Sequence, residues 1–519
     1  MKSINNIFKK VCILAIVTSM AGCDMLDTKP YDFVAPETFY KNETDCTMAL
    51  AGVYWTMAAE HVYGNRYSCM LSNIDDLSYY YRQNQTSAVV ANSHNTGNTD
   101  LWYTWESLYS GINNANVLLD NIDGASISDE KVRARIKGEA KFLRAYYHFL
   151  LVQGWYEVPI RKETVKDITP HAEALDWIIQ EMEDCLDMVD DSNYDASPSH
   201  VKKTVVEGIL ARVCLWRAGE PSKGGKPYYE KAAKYAKAVY DSKKHKLNPD
   251  VYAMWKALAS DQYETTYNES MWEVEFVGTR DDGSYTESRI GNVIGNLQEN
   301  SAGTGAGYTY AFYAGSLILW DLYDAKDARR DLAMAPYKLN NKDVQVAWKD
   351  NQIVDRRCGK YRREWESSSP KHKNYTQENY CLLRYADVLL MLAEAENEAN
   401  QGPTALAYTC INEVRKRAGI DEVKDLSYGD FQKLIRDERG RELCFESLRK
   451  YDLVRWGIYY KAIKEDLGAA VNDARWSTAN NAKGAAQYVS NTTEKNQFLP
   501  IPTKELGVNT KLEQNKYWK

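Results

Sequence analysis

The sequence predicts a mostly α-helical protein. Apolar residues recur at steps of three and four along many segments, the breaks between them are Gly- and Pro-rich, and clear period-two alternation is confined to one short stretch, 271–276. The clearest helix is 384–399, where Tyr385, Val388, Leu389, Leu392 and Ala399 fall on one face. Gly402-Pro403 stops it, and a second helix runs to about Arg417 before Gly419. Comparable pairs are 132–153 with 172–189, and 204–217 with 228–240, the latter parted by Gly219, Pro221, Gly224 and Gly225.

Each pair reads as an αα-hairpin rich in Ala with aromatics at intervals, similar to degenerate tetratricopeptide packing without its strict consensus or even spacing. Two regions interrupt the helices. Residues 63–100 are full of Tyr, Asn, Ser and Thr, and 276–313 of Gly, Asn, Thr and Tyr. Long irregular insertions on a rigid scaffold are where function concentrates. The alternating stretch 271–276 is a strand leading into the second region, and Glu273 and Glu275, two apart on one sheet face, read as solvated.

The chain has 519 residues, 44% hydrophobic and 26% charged, enough to bury a sizeable core and unlike a disordered or fibrous protein. Its 65 basic residues against 72 acidic ones give a net charge of −7 with no long basic run, which argues against nucleic acid as a partner. Tyr (38) and Trp (14) outnumber Phe (10), favouring rings with a polar tip, which suit both wet binding surfaces and helix interfaces.

Lys2, Lys9 and Lys10 precede an apolar run at 11–21, too short to span a bilayer but suited to the core of a signal peptide. Met20-Ala21-Gly22-Cys23 follows the pattern of a bacterial lipoprotein cleavage box, so residues 1–22 form the leader and Cys23 is the acylated first residue of the exported chain. Several acyl chains hold a protein body at a membrane essentially permanently. Residues 23–42, punctuated by Pro30 and Pro36, read as an extended arm. Of ten cysteines, those at 12 and 23 belong to leader and anchor, leaving 8; no C-x-x-C occurs, and Cys185, Cys214, Cys410 and Cys444 fall within apolar helical patterns as small buried hydrophobes.

Catalytic and metal motifs are missing from the sequence. The 7 His show no zinc-ligand spacing, and there is neither a G-x-S-x-G elbow nor a phosphate loop. The glycine run 303–307 reads as a loop and Asp281-Asp282-Gly283 as a turn, so no cofactor or metal is implied. Glu438, Glu442 and Glu446, spaced by four, stack on one helix face and could bind metal or hydrolyse a glycoside. Arg436, Arg439, Arg441 and Arg449 on the same segment, with Arg415 and Arg417 nearby, favour compensating ion pairs instead. The side chains best matched to a ligand are aromatic and polar ones in the two irregular regions: Asp75, Asp76, Tyr79, Tyr80, Tyr81, Arg82 and Asn98 in the first, Asn296, Tyr308, Tyr310 and Tyr313 in the second. A sugar ring offers a flat C–H face to Tyr or Trp and a rim of hydroxyls to Asn, Asp and Arg.

The chain resembles the SusD/RagB family of surface lipoproteins from Bacteroidetes nutrient-uptake systems. Residues 26–54 (LDTKPYDFVAPETFYKNETDCTMALAGVY) resemble the family opening, and Trp105, Tyr109, Ile112 and Asn116 its first long helix. Residues 384–399 (RYADVLLMLAEAENEA), 411–420 (INEVRKRAGI), 435–457 (IRDERGRELCFESLRKYDLVRWG) and 498–506 (FLPIPTKEL) follow in the family's order. Gly440 stands where the family often has Arg, Ser447 where it usually has Gly, and Asn509-Thr510 where it usually has Asn-Pro. The resemblance implies a single helical domain over 43–519, its N-terminal part ending at about 260 and its C-terminal part beginning at about 261. It also implies a non-catalytic, lipid-anchored protein of the cell outer membrane, acting as a lid that delivers glycan to a SusC-like TonB-dependent transporter. In that setting Trp105 and Tyr109 are core residues and the Glu438 row is structural. A peptide-binding lid on the same scaffold is the alternative, and a surface glycoside hydrolase a more distant one.

Overall fold

Asn42 opens the first helix, its side chain accepting the Asp45 N–H at 3.1 Å as an N-cap. The computed structural model describes residues 39–82, 87–162, 169–191, 197–276, 288–300, 305–369, 371–476 and 482–519. The leader, Cys23, most of the arm, the 281–283 turn and the start of the glycine run at 303–304 lie outside the described residues. Twelve helices carry the architecture: α1 (Glu43–Ala58), α2 (Thr99–Asn121), α3 (Glu130–Trp155), α4 (His171–Glu183), α5 (Lys203–Ala218), α6 (Lys226–Ser242), α7 (Tyr385–Asn400), α8 (Ala405–Arg417), α9 (Tyr428–Leu443), α10 (Arg449–Arg455), α11 (Ala482–Asn491) and α12 (Thr503–Val508). Other short helices, among them Ala253–Ala259 and Leu317–Leu322, and single helical turns lie between them. The protein is mostly helical, as the periodicity predicts. Helix α4 is shorter than expected, ending at Glu183 with turns beyond it.

Neighbours in sequence are neighbours in space. Helix α1 packs on α2, α2 on α3, α3 on α4, α4 on α5 and α5 on α6; α6 then meets α7, which also packs on α8 and α9. Gly111 permits the close approach of α2, since a Cβ there would lie 2.7 Å from Thr56 and 2.8 Å from Tyr147. One apolar cluster runs from Cys46 to Leu512, with Trp105, Trp155, Trp216, Trp272 and Trp476 among its largest buried side chains. The four cysteines placed in apolar patterns are buried thiols. Among the described residues no helix is long and apolar enough to cross a membrane.

Among the described residues six short strands form three antiparallel pairs: β1 (Ser78–Tyr80) with β3 (Tyr313–Gly315), β2 (Ser270–Val274) with β6 (Tyr380–Arg384), and β4 (Tyr337–Leu339) with β5 (Gln345–Ala347). Strand β2 is the one expected from alternation, but its Glu273 is not solvated. The side chain is buried, accepts a hydrogen bond from Asn379 Nδ2 at 3.1 Å, and is pushed up to about 7 by burial.

The row of acids ends in ion pairs. Glu438 meets Arg329 (2.7 Å), Arg415 and Arg441 (both 2.9 Å); Glu442 meets Arg329 (2.9 Å), Arg384 (2.6 Å) and Arg417; Glu446 meets Arg384 (2.7 Å) and Lys360 (2.5 Å). Only Glu438 and Glu442 share the helix face. Helix α9 stops at Leu443, and Phe445 at φ 63° turns the chain so that Glu446 enters the cluster from beyond the helix end. Burial alone would raise the carboxyl of Glu442, yet Arg417, Arg384 and Arg329 hold it well below the usual carboxylate range. A second buried set joins α5, α7, α9 and α10. Asp387 meets Arg212 and Arg439 (2.7 Å each), Asp452 meets Arg439 (2.8 Å) and Arg455 (2.7 Å), and Arg455 meets Glu394.

These two kinds of buried carboxyl oppose each other in acid. Asp75 and Glu273, both raised to about 7 by burial, add stability that is fully present below about pH 4, where they also protonate when unfolded, and lost as pH rises through 7. Asp387, which Arg439 and Arg212 hold at about 2 against the effect of burial, and Glu438, Glu442 and Glu394, likewise held low, add stability that is present above about pH 4 and lost as pH falls through their folded values. His94, His148 and His171, lowered to about 3, 3 and 4 by burial, act against Asp75 and Glu273 between about pH 4 and 7, because they bind protons there only when unfolded. The Glu273 contribution is isolated by Glu273→Gln, which stays neutral at every pH: its melting temperature relative to wild type, followed by circular dichroism, should rise from about pH 5 to about pH 8. A difference that does not change with pH would contradict this assignment.

Candidate functional site

The two irregular regions of the sequence meet in a single ladder. Strand β1 runs antiparallel to β3, pairing Tyr79 with Ala314 and Tyr80 with Tyr313. The Tyr81 N–H extends the ladder to the Phe312 carbonyl at 2.6 Å. The framework beneath it is polar and largely hydrogen-bonded. Asp75 accepts the N–H groups of Leu77 (2.8 Å) and Ser78 (2.9 Å), shaping the turn into β1. Asp76 is gripped by Arg449 through two bonds of 2.8 Å. Tyr79 donates to the Val354 carbonyl at 2.6 Å, and Tyr313 to that of Cys69.

This divides the residues expected to bind ligand. Asp75, Asp76, Tyr79, Tyr80, Asn296 and Tyr313 are buried, none more than 4% exposed, and serve the framework rather than an open surface. Tyr80 packs edge-on against Tyr313 at 5.6 Å. Asn296 Oδ1 accepts the Leu297 N–H, while its Nδ2 is buried with no hydrogen-bond partner. Asn98 is the N-cap of α2, its side chain accepting the Leu101 N–H at 3.2 Å. Tyr81, Arg82, Tyr308 and Tyr310 remain at the surface.

These four gather around Phe312. Tyr310 stacks on Phe312 at 5.1 Å and 23°, Tyr308 stands edge-on to Tyr310 at 5.2 Å, and the Arg82 guanidinium lies 4.8 Å from the Phe312 ring. Arg357 sits 3.3 Å from the Tyr81 ring, and Tyr81 Oη reaches Asp355 at 3.3 Å. A third loop, absent from the sequence expectation, completes the surface. Asn374 Oδ1 accepts from Tyr310 Oη at 3.1 Å, Lys373 lies 5.7 Å from the Tyr308 ring, and Tyr375 stacks on His372 at 4.8 Å. Arg289 is shared between the rings of Tyr310 (6.0 Å) and Tyr375 (5.7 Å). The run His372-Lys373-Asn374-Tyr375 has the same Tyr and Asn chemistry as the other two regions, a signal that was available in the sequence.

Arg363 ties these loops together from inside. Wholly buried, it pairs with Glu366 at 2.7 Å and donates to the carbonyls of Tyr308 (2.7 Å), His372 (2.7 Å), Lys373 (3.3 Å) and Tyr375 (3.2 Å). Gly307, at φ 90°, leaves it room; a Cβ there would stand 3.3 Å from the guanidinium carbon. Among the described residues no three His, Cys, Asp or Glu side chains come together as metal ligands.

A helical array presenting a surface of stacked rings, amides and guanidinium groups on rigid loops is the architecture of a ligand-binding scaffold. The sequence profile of the SusD family matches residues 268–518, and one described as starch-binding associating with outer membrane matches 24–215. A SusD-like protein of Formosa agariphila is 27% identical over an alignment of 559 residues, covering 95% of each chain. The crystal structure of a SusD homolog from Bacteroides thetaiotaomicron superposes with a TM-score of 0.82 at 26% identity, over 92% of this chain and 98% of that one. A laminarin-binding SusD-like protein shares the fold at a TM-score of 0.72 and 23% identity, over 92% of this chain and 100% of its own. The chain belongs to the SusD-like family.

Two departures from the family pattern have physical counterparts. Ser447 adopts φ 60°, the left-handed region that glycine enters most easily, and its Oγ donates to the Ser68 carbonyl at 2.8 Å. At Gly440 a Cβ would already lie 3.0 Å from Leu322 and 3.1 Å from Leu77, so a longer side chain here requires both leucines to shift.

The split between framework and surface is measurable by urea denaturation. Asp76→Ala leaves the Arg449 guanidinium buried without its counter-ion and should cost about 3–5 kcal/mol. Arg82→Ala, at an exposed position, should change stability by less than about 0.5 kcal/mol. Equal effects would contradict the division.

Proposed function

We propose that this protein is a non-catalytic, cell-surface glycan-binding lipoprotein that captures oligosaccharide and hands it to a SusC-like TonB-dependent transporter. The observation that carries the proposal is the ring surface of Tyr81, Tyr308 and Tyr310 flanked by Arg82 and Asn374. Stacked rings meet the C–H faces of sugars, and the guanidinium and amide meet hydroxyls. The family description as starch-binding and outer-membrane-associated supports the ligand class and location, as does the laminarin-binding name of one structural neighbour. Residues 1–22 act as the lipoprotein leader, acylated Cys23 anchors the mature chain, and residues 23–42 form the arm between anchor and body.

Transfer to a transporter favours moderate affinity. A dissociation constant between micromolar and millimolar corresponds to about 8 to 4 kcal/mol, which a few stacked rings supply. The peptide-binding alternative would be favoured by a strongly charged or apolar pocket; here the cations Arg82, Arg289, Arg357 and Lys373 each lie over a ring, of Phe312, Tyr310, Tyr81 and Tyr308, so the surface is a set of cation-backed rings and amides, which suits a neutral ligand with C–H faces and hydroxyls. The hydrolase alternative needs two opposed carboxylates free to act across a glycosidic bond. The Glu438 row is buried in ion pairs, and at the ring surface Asp355 accepts from Tyr81 while Glu366 is held by Arg363.

Affinity electrophoresis against a polysaccharide panel, followed by calorimetry, tests the reading. Tyr308→Ala and Tyr310→Ala should each lose about 1 kcal/mol of binding, roughly fivefold, with no shortening of the retained polysaccharide on long incubation. Full affinity in the double variant, or release of reducing sugar by the purified protein, would overturn it.

A further inference from the structure

A second groove, of about 390 Å³, runs along the outer side of α2, bordered by the segment after α3 and by α12. Its α2 residues, Trp102, Trp105, Tyr109 and Asn113, recur at three- and four-residue steps and so form one stripe. From residue 102 to 114 that stripe is about 18 Å long at 1.5 Å per residue. It shares no residue with the ring surface around Phe312.

The groove is built. Trp105 is 1% exposed and its indole N–H has no hydrogen-bond partner. Trp102 is half-buried, with the Lys504 ammonium 5.2 Å from its ring. Arg161 lies 4.3 Å from the Tyr109 ring, pairs with Glu505 at 2.9 Å, and takes a further restraint from its backbone N–H, which donates to His148 Nε2 at 3.0 Å. About a third of the Arg161 side chain (31%) still faces water. Asn113 and Asn114 are exposed at the other end of the stripe. The charges along the groove balance, Arg161 and Lys504 against Glu106 and Glu505. An ionic ligand therefore finds no net attraction here, whereas a neutral one finds an indole for an apolar face and amide and guanidinium donors for hydroxyls.

From this we infer that the α2 groove is a second saccharide subsite, engaged by polymeric glycan in addition to the ring surface; the inference rests on the glycan-binding reading above. A chain of contacts joins the two places. Arg289, at the ring surface, donates through its backbone N–H to the Gly64 carbonyl (2.9 Å); Arg66 pairs with Asp100 (3.4 Å) in the first turn of α2; and Tyr103 beside it stacks on His61 at 4.8 Å. Holding one polymer at two weak sites raises its apparent affinity through effective concentration, without tight binding at either.

The test compares the wild type with three variants: the groove variant Asn113→Ala/Asn114→Ala, a second groove variant Trp102→Ala, and the ring-surface variant Tyr308→Ala/Tyr310→Ala. Alanine at two exposed helical positions favours the helix, so a loss of binding in the first is not a loss of fold. The probes are laminarin and soluble starch in affinity gels, with laminarihexaose and maltohexaose for calorimetry. Both groove variants should lose about tenfold or more in affinity for the polymer that retards the wild type. The matching hexasaccharide should fall from two sites to one, and oxidative footprinting should show Trp102 protected by the polymer in the wild type. Groove variants that bind polymer like the wild type, while the ring-surface variant is impaired, overturn the second subsite and leave the first intact. Loss in the groove variants with none in the ring-surface variant upholds the groove and overturns the placement of the first site. Loss in neither overturns both.

Discussion

Glu442 and the arginines around it hold the C-terminal half of this molecule in one geometry. Arg384 arrives from the end of β6, Arg417 from the end of α8 and Arg329 from a turn, and all three converge on one buried carboxylate of α9. Burying so many charges is costly, and hydrophobic replacements can match such clusters in stability. What the charges supply is direction. Each guanidinium accepts only certain positions for its carboxylates, so the segments that carry them are fixed relative to one another.

That rigidity reaches the surface by short routes. Arg449, at the start of α10, grips Asp76 just before β1, and β1 pairs with β3. Arg363 does the same for the loops bearing Tyr308 and Tyr375, through carbonyls rather than side chains. The rings at the surface are therefore held in place before any ligand arrives. A binder built this way loses little conformational freedom on association and can bind through a few contacts. Moderate affinity from a rigid surface suits a protein that must also let go.

Much of the scaffold was legible in the sequence because helix periodicity is a local property. The expected segments 384–399, 204–217 and 132–153 lie within a few residues of α7, α5 and α3. The region of the site was legible too, since Tyr- and Asn-rich insertions stand out against Ala-rich helices. The individual residues were not. A tyrosine that donates to a distant carbonyl, as Tyr79 and Tyr313 do, has the same local sequence as one that faces solvent, as Tyr308 does. The difference lies in partners hundreds of residues away. Asn98 is the exception, because an Asn followed by Thr99 and Asp100 at a helix start is itself an N-cap signal. Glu446 misled for another reason: spacing by four presumes that the helix continues, and the chain turns at Phe445.

The central claim is that the half-buried rings around Phe312 are the contact surface for carbohydrate and the buried ion pairs are their support. A crystal structure of the protein with an oligosaccharide it retains addresses this most directly. The account predicts sugar rings against Tyr308 and Tyr310, hydroxyls within hydrogen-bond distance of Arg82 and Asn374, and side chains of the Glu442 cluster unmoved. Sugar bound elsewhere with the Phe312 surface vacant, or a Glu442 cluster rearranged to meet the ligand, would contradict it.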